Sequence, residues 1–352
     1  MVPNVLGPVG DVAARAVAWT LFSAVVGAGF ASGRELVLFL GDCGAGGPLA
    51  AVGVGLLIGL MASPFAAAGR GSDPPAVLRV TSLVLAWTTL AATLAALGHL
   101  AAAVPAGPAG SLLVAALVVW AGAALPASRG LAPLSRLIGP VIAAVVMLEA
   151  LAWAAGSALV LLDAPAAELV PGALQWRTCL SGVLVYAAGN ALFGRAAVAR
   201  LVGELRLEAT ATRRACALGG LLVGLVAGAG LWTVGLAGSS AQPMPLMTAA
   251  VRLHPSAGLL HSLLLAGAAY TTAVAAASAL VAPLEGLALR LARSERRIGP
   301  VSAALAIVSV LPVARHGFVE AVHLLYPLAG WTALVALALD WVFARAPWRR
   351  LY

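Results

Sequence analysis

Ten apolar runs of 16 to 33 residues, separated by little besides Pro, Gly or Arg, leave this chain few folds to choose from. A helix rises about 1.5 Å per residue, so roughly 20 apolar residues cross the ~30 Å hydrocarbon core of a bilayer. The runs fall at 12–40, 47–69, 77–104, 109–126, 134–162, 173–202, 214–237, 257–289, 299–314 and 317–344. The first, sixth and last are longer than a span requires and must tilt, break or kink. A loop from Ala237 to Ser256 separates runs seven and eight and carries a short helix around Pro245–Leu253. No soluble domain fits between the runs. The pattern predicts an all-α integral membrane protein of about ten transmembrane helices, with 1–352 forming one domain.

Charge supports this reading. Only 10% of the 352 residues are charged, against the ~25% that keeps a soluble surface wet. The net charge of +8 is carried entirely by arginine, 21 residues with no lysine. These arginines sit at the ends of apolar runs instead of clustering with aromatics, so they read as topology signals and not as a nucleic-acid surface. With the N-terminus cytoplasmic, 17 arginines fall on the inner side; only Arg34, Arg177, Arg252 and Arg315 fall on the outer half. Both termini are therefore expected on the cytoplasmic side of a multi-pass membrane protein. The first run lacks the form of a cleavable signal, and Met1 to Gly10 reads as a short cytoplasmic lead. Cys43, Cys179 and Cys216 lie far apart without a CxxC and read as small apolar fillers, not as a disulfide.

Ten runs divide into five and five, 12–162 and 173–344. Because five is odd, the second set starts from the opposite side, so similar halves would be related by inversion in the membrane plane. Runs one and six share an oddity that fits: Val26-Gly-Ala-Gly-Phe-Ala-Ser-Gly33 in one, Tyr186-Ala-Ala-Gly-Asn-Ala-Leu-Phe-Gly194 in the other. Each glycine weakens a helix by ~1 kcal/mol relative to alanine. Both helices are expected to break, near Gly27–Phe30 and Ala187–Asn190. In lipid, freed backbone groups are tolerated only against protein or a wet cavity. A half-helix restarting near Ser32 would aim its N–H groups at the midplane, which suits a carboxylate. The competing account is that the glycines serve close helix packing.

Gly27-Ala-Gly-Phe-Ala-Ser-Gly-Arg-Glu35 resembles the signature of the YkvI-type bacterial membrane proteins, where the run usually reads GAGFASGQE; here Arg34 replaces the glutamine. The resemblance extends through the Tyr186…Asn190 element and the loop Pro243-Met-Pro-Leu-Met247. That family is similar to the amino acid–polyamine–cation permeases, and the resemblance implies their LeuT-like fold of five plus five inverted helices with broken spans one and six. It further implies a substrate pocket at the two breaks, with Ser23, Gly27, Ala28, Gly29, Phe30, Tyr186, Gly189 and Asn190 facing it. A LeuT-type sodium site would take the carbonyls of Ser23, Val26 and Ala268 and the hydroxyls of Thr271 and Thr272, hard oxygens for a hard cation. The alternative is that both threonines bond back to their own helix.

Four charged residues remain, Glu149, Arg34, Glu35 and Glu320. Glu149 stands mid-run in Val145-Val-Met-Leu-Glu-Ala-Leu151 and must face the bundle interior, since a charge there costs ~2.5–3.5 kcal/mol to insert. It is a candidate for proton coupling or a structural carboxyl bonded to a neighbouring helix. Arg34 and Glu35 point about 100° apart on a helix, so each needs another partner. Glu320 and His323 on the last span lie toward the same outer side, and Arg34, Glu35 and Glu320 form a candidate gate or a structural latch. His99, His254, His261 and His316 lack metal spacing and read as interfacial.

There is no HExxH, Walker loop, GxSxG or intramembrane aspartate pair, so an enzyme is not expected. The expected function is a secondary active transporter of a small organic solute, an amino acid or a related compound, working by alternating access, with a sodium ion as the candidate coupling species. A proton-coupled permease and a transporter-like receptor that binds without transport are the alternatives. The expected partners are the small-molecule substrate and the lipid bilayer, with no nucleic acid and with a homo-oligomer left open.

Overall fold

The computed structural model describes residues 8–67, 76–101, 107–126, 128–161, 175–291, 298–316 and 318–345. The N-terminal lead over residues 1–7 and Arg70, Arg293, Arg296, Arg297, Arg349 and Arg350 lie outside these. The secondary-structure elements of the described residues are all helices: α1 (Pro8–Val25), α2 (Ala28–Ala31), α3 (Arg34–Leu40), a 3-10 turn (Gly41–Gly46), α4 (Gly47–Ala67), α5 (Ala76–Ala101), α6 (Gly107–Ala123) and α7 (Leu131–Leu161). There follow α8 (Trp176–Leu205), α9 (Ala209–Ala237), α10 (Pro245–Leu253), α11 (Pro255–Leu291), α12 (Ile298–Ala314) and α13 (Phe318–Arg345).

Among the described residues, seven helical stretches are long and apolar enough to cross a membrane, and α6 and α12 are shorter apolar helices. One of the seven, Arg34–Ser63, is not a single rod: the backbone turns at Gly44 (φ 52°, ψ −134°), and α4 alone supplies its 21-residue span. Large apolar side chains such as Leu49, Leu137, Leu148, Leu263 and Leu324 stand exposed on α4, α7, α11 and α13. Apolar surface on this scale is costly in water and is what a lipid-facing belt requires. This is a multi-pass membrane protein.

The broken run lies at the centre. Leu21 and Phe22 of α1, Val26 at the break, Ala28 and Phe30 of α2, and Leu36 and Leu40 of α3 are fully buried, and α1 packs on α7, α8, α9 and α11. The expected break in the sixth run does not occur: α8 continues through Ala187–Asn190 to Leu205. Its polar residue turns inward on the helix, with Asn190 Nδ2 donating to Tyr186 O at 3.0 Å. Gly189 is a packing glycine, since a Cβ there would lie 3.3 Å from Gly330 Cα on α13. A glycine penalty of ~1 kcal/mol does not outweigh thirty residues of continuous hydrogen bonding.

The most extensive helix pair is α4 with α9, and small residues make it. Gly55 and Gly59 of α4 face Gly220 and Gly224 of α9, and Gly228 of α9 lies against Pro48 of α4. A Cβ on Gly59 would stand 2.8 Å from Cys216 O, and one on Gly224 2.9 Å from Val52 O. Backbone cannot yield as a flexible side chain does. Gly224→Ala is therefore expected to destabilise the protein by ~1–3 kcal/mol. Gly235→Ala on the same helix, where a Cβ meets nothing within 4 Å, should leave stability unchanged or raise it by ~0.4–1 kcal/mol. Melting temperatures of the purified variants in one detergent check the opposite signs.

The cysteine reading is also corrected. Cys43, in the 3-10 turn, and Cys179, in the first turn of α8, form a disulfide across 136 residues of sequence, while Cys216 is free and buried. Spacing along the chain could not show it, because the fold brings the ends of two distant helices together.

Candidate functional site

The break in the first run has two parts. At the first, Gly27 N–H turns back to Val25 O at 2.9 Å in place of the helical bond to Ser23 O. At the second, Gly33 takes φ 81°, a left-handed value that favours glycine, and a Cβ there would stand 2.9 Å from Leu246 N. Carbonyls freed in a dry interior must find donors. Thr272 Oγ1 on α11 donates to Ser23 O at 2.8 Å and reaches Ala24 O at 3.2 Å. The ring of His261, also on α11, lies with Nε2 2.8 Å from Ala31 O. Leu246 N–H at the start of α10 donates to Ser32 O at 3.0 Å, and Ser32 Oγ donates to Gly29 O at 2.9 Å. Helix α11 thus grips the broken segment at the end of α1 and at the end of α2, through residues eleven apart and so about 16 Å along its axis.

His261 has a second partner. Its Nδ1 lies 3.0 Å from each carboxyl oxygen of Glu149 on α7, with His261 fully buried and Glu149 5% exposed. A carbonyl oxygen only accepts, so Nε2 must carry hydrogen and donate to Ala31 O. The Nδ1–carboxyl contact then needs one more proton, held either as imidazolium against carboxylate or as carboxylic acid against imidazole. Both arrangements are neutral overall, which a buried pair requires. Removing that proton would set a lone pair against a carboxylate. The pair is therefore a one-proton site joining α7, α11 and the backbone of α2. Sequence reasoning placed His261 at an interface; the missed signal is that His261 is a histidine inside an apolar run, while Glu149 needed an intramembrane partner.

A cavity opens beside the first break. It is lined by Ala24, Val25 and Gly27 at the break, Glu35 and Phe39 of α3, Leu85, Thr88 and Thr89 of α5, and Thr272 of α11. Val185, Tyr186, Gly189, Asn190 and Phe193 of α8 and Tyr326, Ala329 and Gly330 of α13 complete it. Of the expected pocket residues, Gly27, Tyr186, Gly189 and Asn190 line it. The other four do not. Ser23 faces α7, where a Cβ on Gly139 would lie 3.1 Å from its Oγ; Ala28 and Phe30 are buried in packing; Gly29 lies beneath the Glu35 side chain.

The five oxygens expected around a sodium ion do not all converge. Thr272 reaches the first-run carbonyls, but Thr271 Oγ1 turns back on its own helix, 3.1 Å from both Gly267 O and Ala268 O.

The gate residues separate as their 100° offset predicts. Arg34 Nε donates to His323 Nε2 at 2.8 Å, tying α3 to α13, while Glu320 is exposed. Glu35 points the other way. Only 4% exposed, its carboxyl lines the cavity, accepting from Tyr186 Oη at 3.1 Å and from the Tyr326 hydroxyl. The anion site expected at a restarting half-helix is not what the cavity presents: α2 and α3 are only one or two turns long, and the group on the cavity wall is the protein's own acid.

Compared with known proteins, the chain matches no family model and no curated relative.

Proposed function

We propose that the protein is a secondary active transporter of a small organic solute, an amino acid or a related compound, that works by alternating access. The carrying observation is the cavity at the break of the first run, walled by α1, α3 and α5 from one half of the chain and by α8, α11 and α13 from the other. Solute sites between halves, at interrupted helices, are the arrangement from which rocking exposes a site to one side and then the other. The ten-span reading with five-plus-five inverted halves and the resemblance to YkvI-type membrane proteins are consistent with this. The unbroken α8 is a departure, leaving interruption on one side of the cavity alone. No enzymatic role enters this reading.

Localisation in a bacterial cytoplasmic membrane with both termini inside is supported by the 17-to-4 arginine asymmetry. The disulfide agrees with it, since Cys43 and Cys179 sit at the end assigned to the outside, where the compartment is oxidising.

For the coupling ion, the one-proton pair of Glu149 and His261 favours a proton. It touches the broken segment directly, so its loading can bias one packing of α2 over another. Thr272 keeps a sodium role open only in part.

Counterflow separates a carrier from a receptor with the same pocket. Proteoliposomes loaded with unlabelled amino acids and small amines are diluted into a trace of one labelled solute. A transporter accumulates label transiently through exchange; binding without exchange would leave the receptor reading.

A further inference from the structure

We infer that the cavity beside the break receives a small solute through a positively charged nitrogen, with Glu35 as its counter-charge. The inference takes the position of the site from the transporter reading and adds the chemistry of what it holds.

Glu35 is placed deliberately. It leaves the first turn of α3 and folds back over α2, where the missing side chain of Gly29 makes room: a Cβ on Gly29 would collide with the Glu35 carboxyl. The second glycine of the Gly27–Gly33 run thus serves to bring an acid into the cavity. Both tyrosine hydroxyls act as donors to this carboxyl, which serves them purely as an acceptor. A carboxylate offers about four acceptor positions, so two stay available to a guest. None of the residues lining the cavity is a lysine, arginine or histidine. The neighbouring Arg34 is turned away to His323. A buried acid without a basic partner is expensive, and a guest cation removes that cost.

The remaining wall suits the same guest. Phe39 and Tyr186 stack at 5.1 Å with planes 27° apart, and Phe193 and Tyr326 add aromatic surface. Aromatic faces attract ammonium groups most strongly where water is scarce. About 40 Å³ is open to the centres of water molecules, room for roughly three waters, so the guest is a few heavy atoms in this conformation. An anion would meet an uncompensated carboxylate.

The test uses the full-length protein in nanodiscs with propylamine, propionate and alanine as probes, read by melting temperature and by calorimetric titration. Propylamine should stabilise the protein and propionate should not, with alanine between them. Glu35→Gln, which keeps an acceptor for the tyrosines, should weaken propylamine at least tenfold. Should that variant not fold, Glu35→Asp keeps the charge but draws it back by one methylene, and is expected to bind propylamine more weakly than the parent but still more tightly than propionate. Propylamine without effect on the parent, propionate binding equally well, or full propylamine affinity in Glu35→Gln would each overturn the assignment. The transporter reading stands or falls separately, on whether proteoliposomes exchange any labelled solute.

Discussion

Glu149→Gln is expected to abolish proton-driven accumulation of substrate while leaving the protein folded and exchange of labelled solute largely intact. The reason lies in the two partners of His261. A glutamine amide at position 149 can donate to Nδ1 while Nε2–H still donates to Ala31 O, so the variant mimics the proton-loaded pair permanently. Every hydrogen bond survives; only the capacity to release the proton is lost. A pH step of one unit is worth ~1.36 kcal/mol per proton, about a tenfold solute gradient at one proton per solute. Uptake by proteoliposomes under an imposed pH step should therefore fall from about tenfold accumulation to simple equilibration. His261→Leu should behave differently, because it strands the Ala31 carbonyl and costs ~1–3 kcal/mol of stability as well. A Glu149→Gln protein that still concentrates solute tenfold would make the pair a structural clamp.

The second large effect is a contrast between neighbours. Thr272→Val should destabilise the protein by ~1–3 kcal/mol, whereas Thr271→Val should cost under about 0.5 kcal/mol. The two residues have the same chemistry and both are buried, but only Thr272 serves carbonyls that the break has released from their helix. Thr271 bonds to carbonyls of its own intact helix. Thermal melts in a single detergent, with and without sodium, resolve both the structural and the ionic question. Any sodium-dependent stabilisation should vanish with Thr272→Val and survive Thr271→Val. Equal losses from the two substitutions would contradict the assigned roles.

The placement of helices was legible because lipid leaves the chain little freedom: apolar length fixes where a helix lies. The run 47–69 became Gly47–Ala67, 257–289 became Pro255–Leu291, and the short helix at Pro245–Leu253 stands where proline and the loop composition put it. The break at Gly27 was legible too, since three glycines in seven residues weaken one place repeatedly. Its apparent twin at Ala187–Asn190 was not a break, because glycine permits an interruption without requiring one. What fixes the interruption at Gly27 is a set of donors on α10 and α11, more than two hundred residues away. Glu149 was recognisable as a buried carboxyl, but its pairing with His261 across 112 residues depends on packing. Glu35 was noticed as a charge needing a partner and read as part of a gate or latch with Arg34 and Glu320; the space left by Gly29 is what turns it toward the cavity.

The disulfide between Cys43 and Cys179 bears on how the cavity can open. It sits where α3 and α8 meet, beside the bond from Gln175 N–H to Asp42 O at 3.2 Å, and the bare face of Gly182 lets α8 lie directly on Phe39 O. Helices α3 and α8 are thereby one jamb, and it carries Glu35, Phe39 and Tyr186 together. On the transporter reading the moving leaf would then be built from α5, α11 and α13, whose seam with the jamb is crossed by the Arg34–His323 bond and by the Tyr326 hydroxyl on Glu35. A solute held on the jamb would keep the same acid and the same rings from entry to exit. Selectivity would then be alike from either side of the membrane, and any difference in affinity between the two faces would come from the leaf alone.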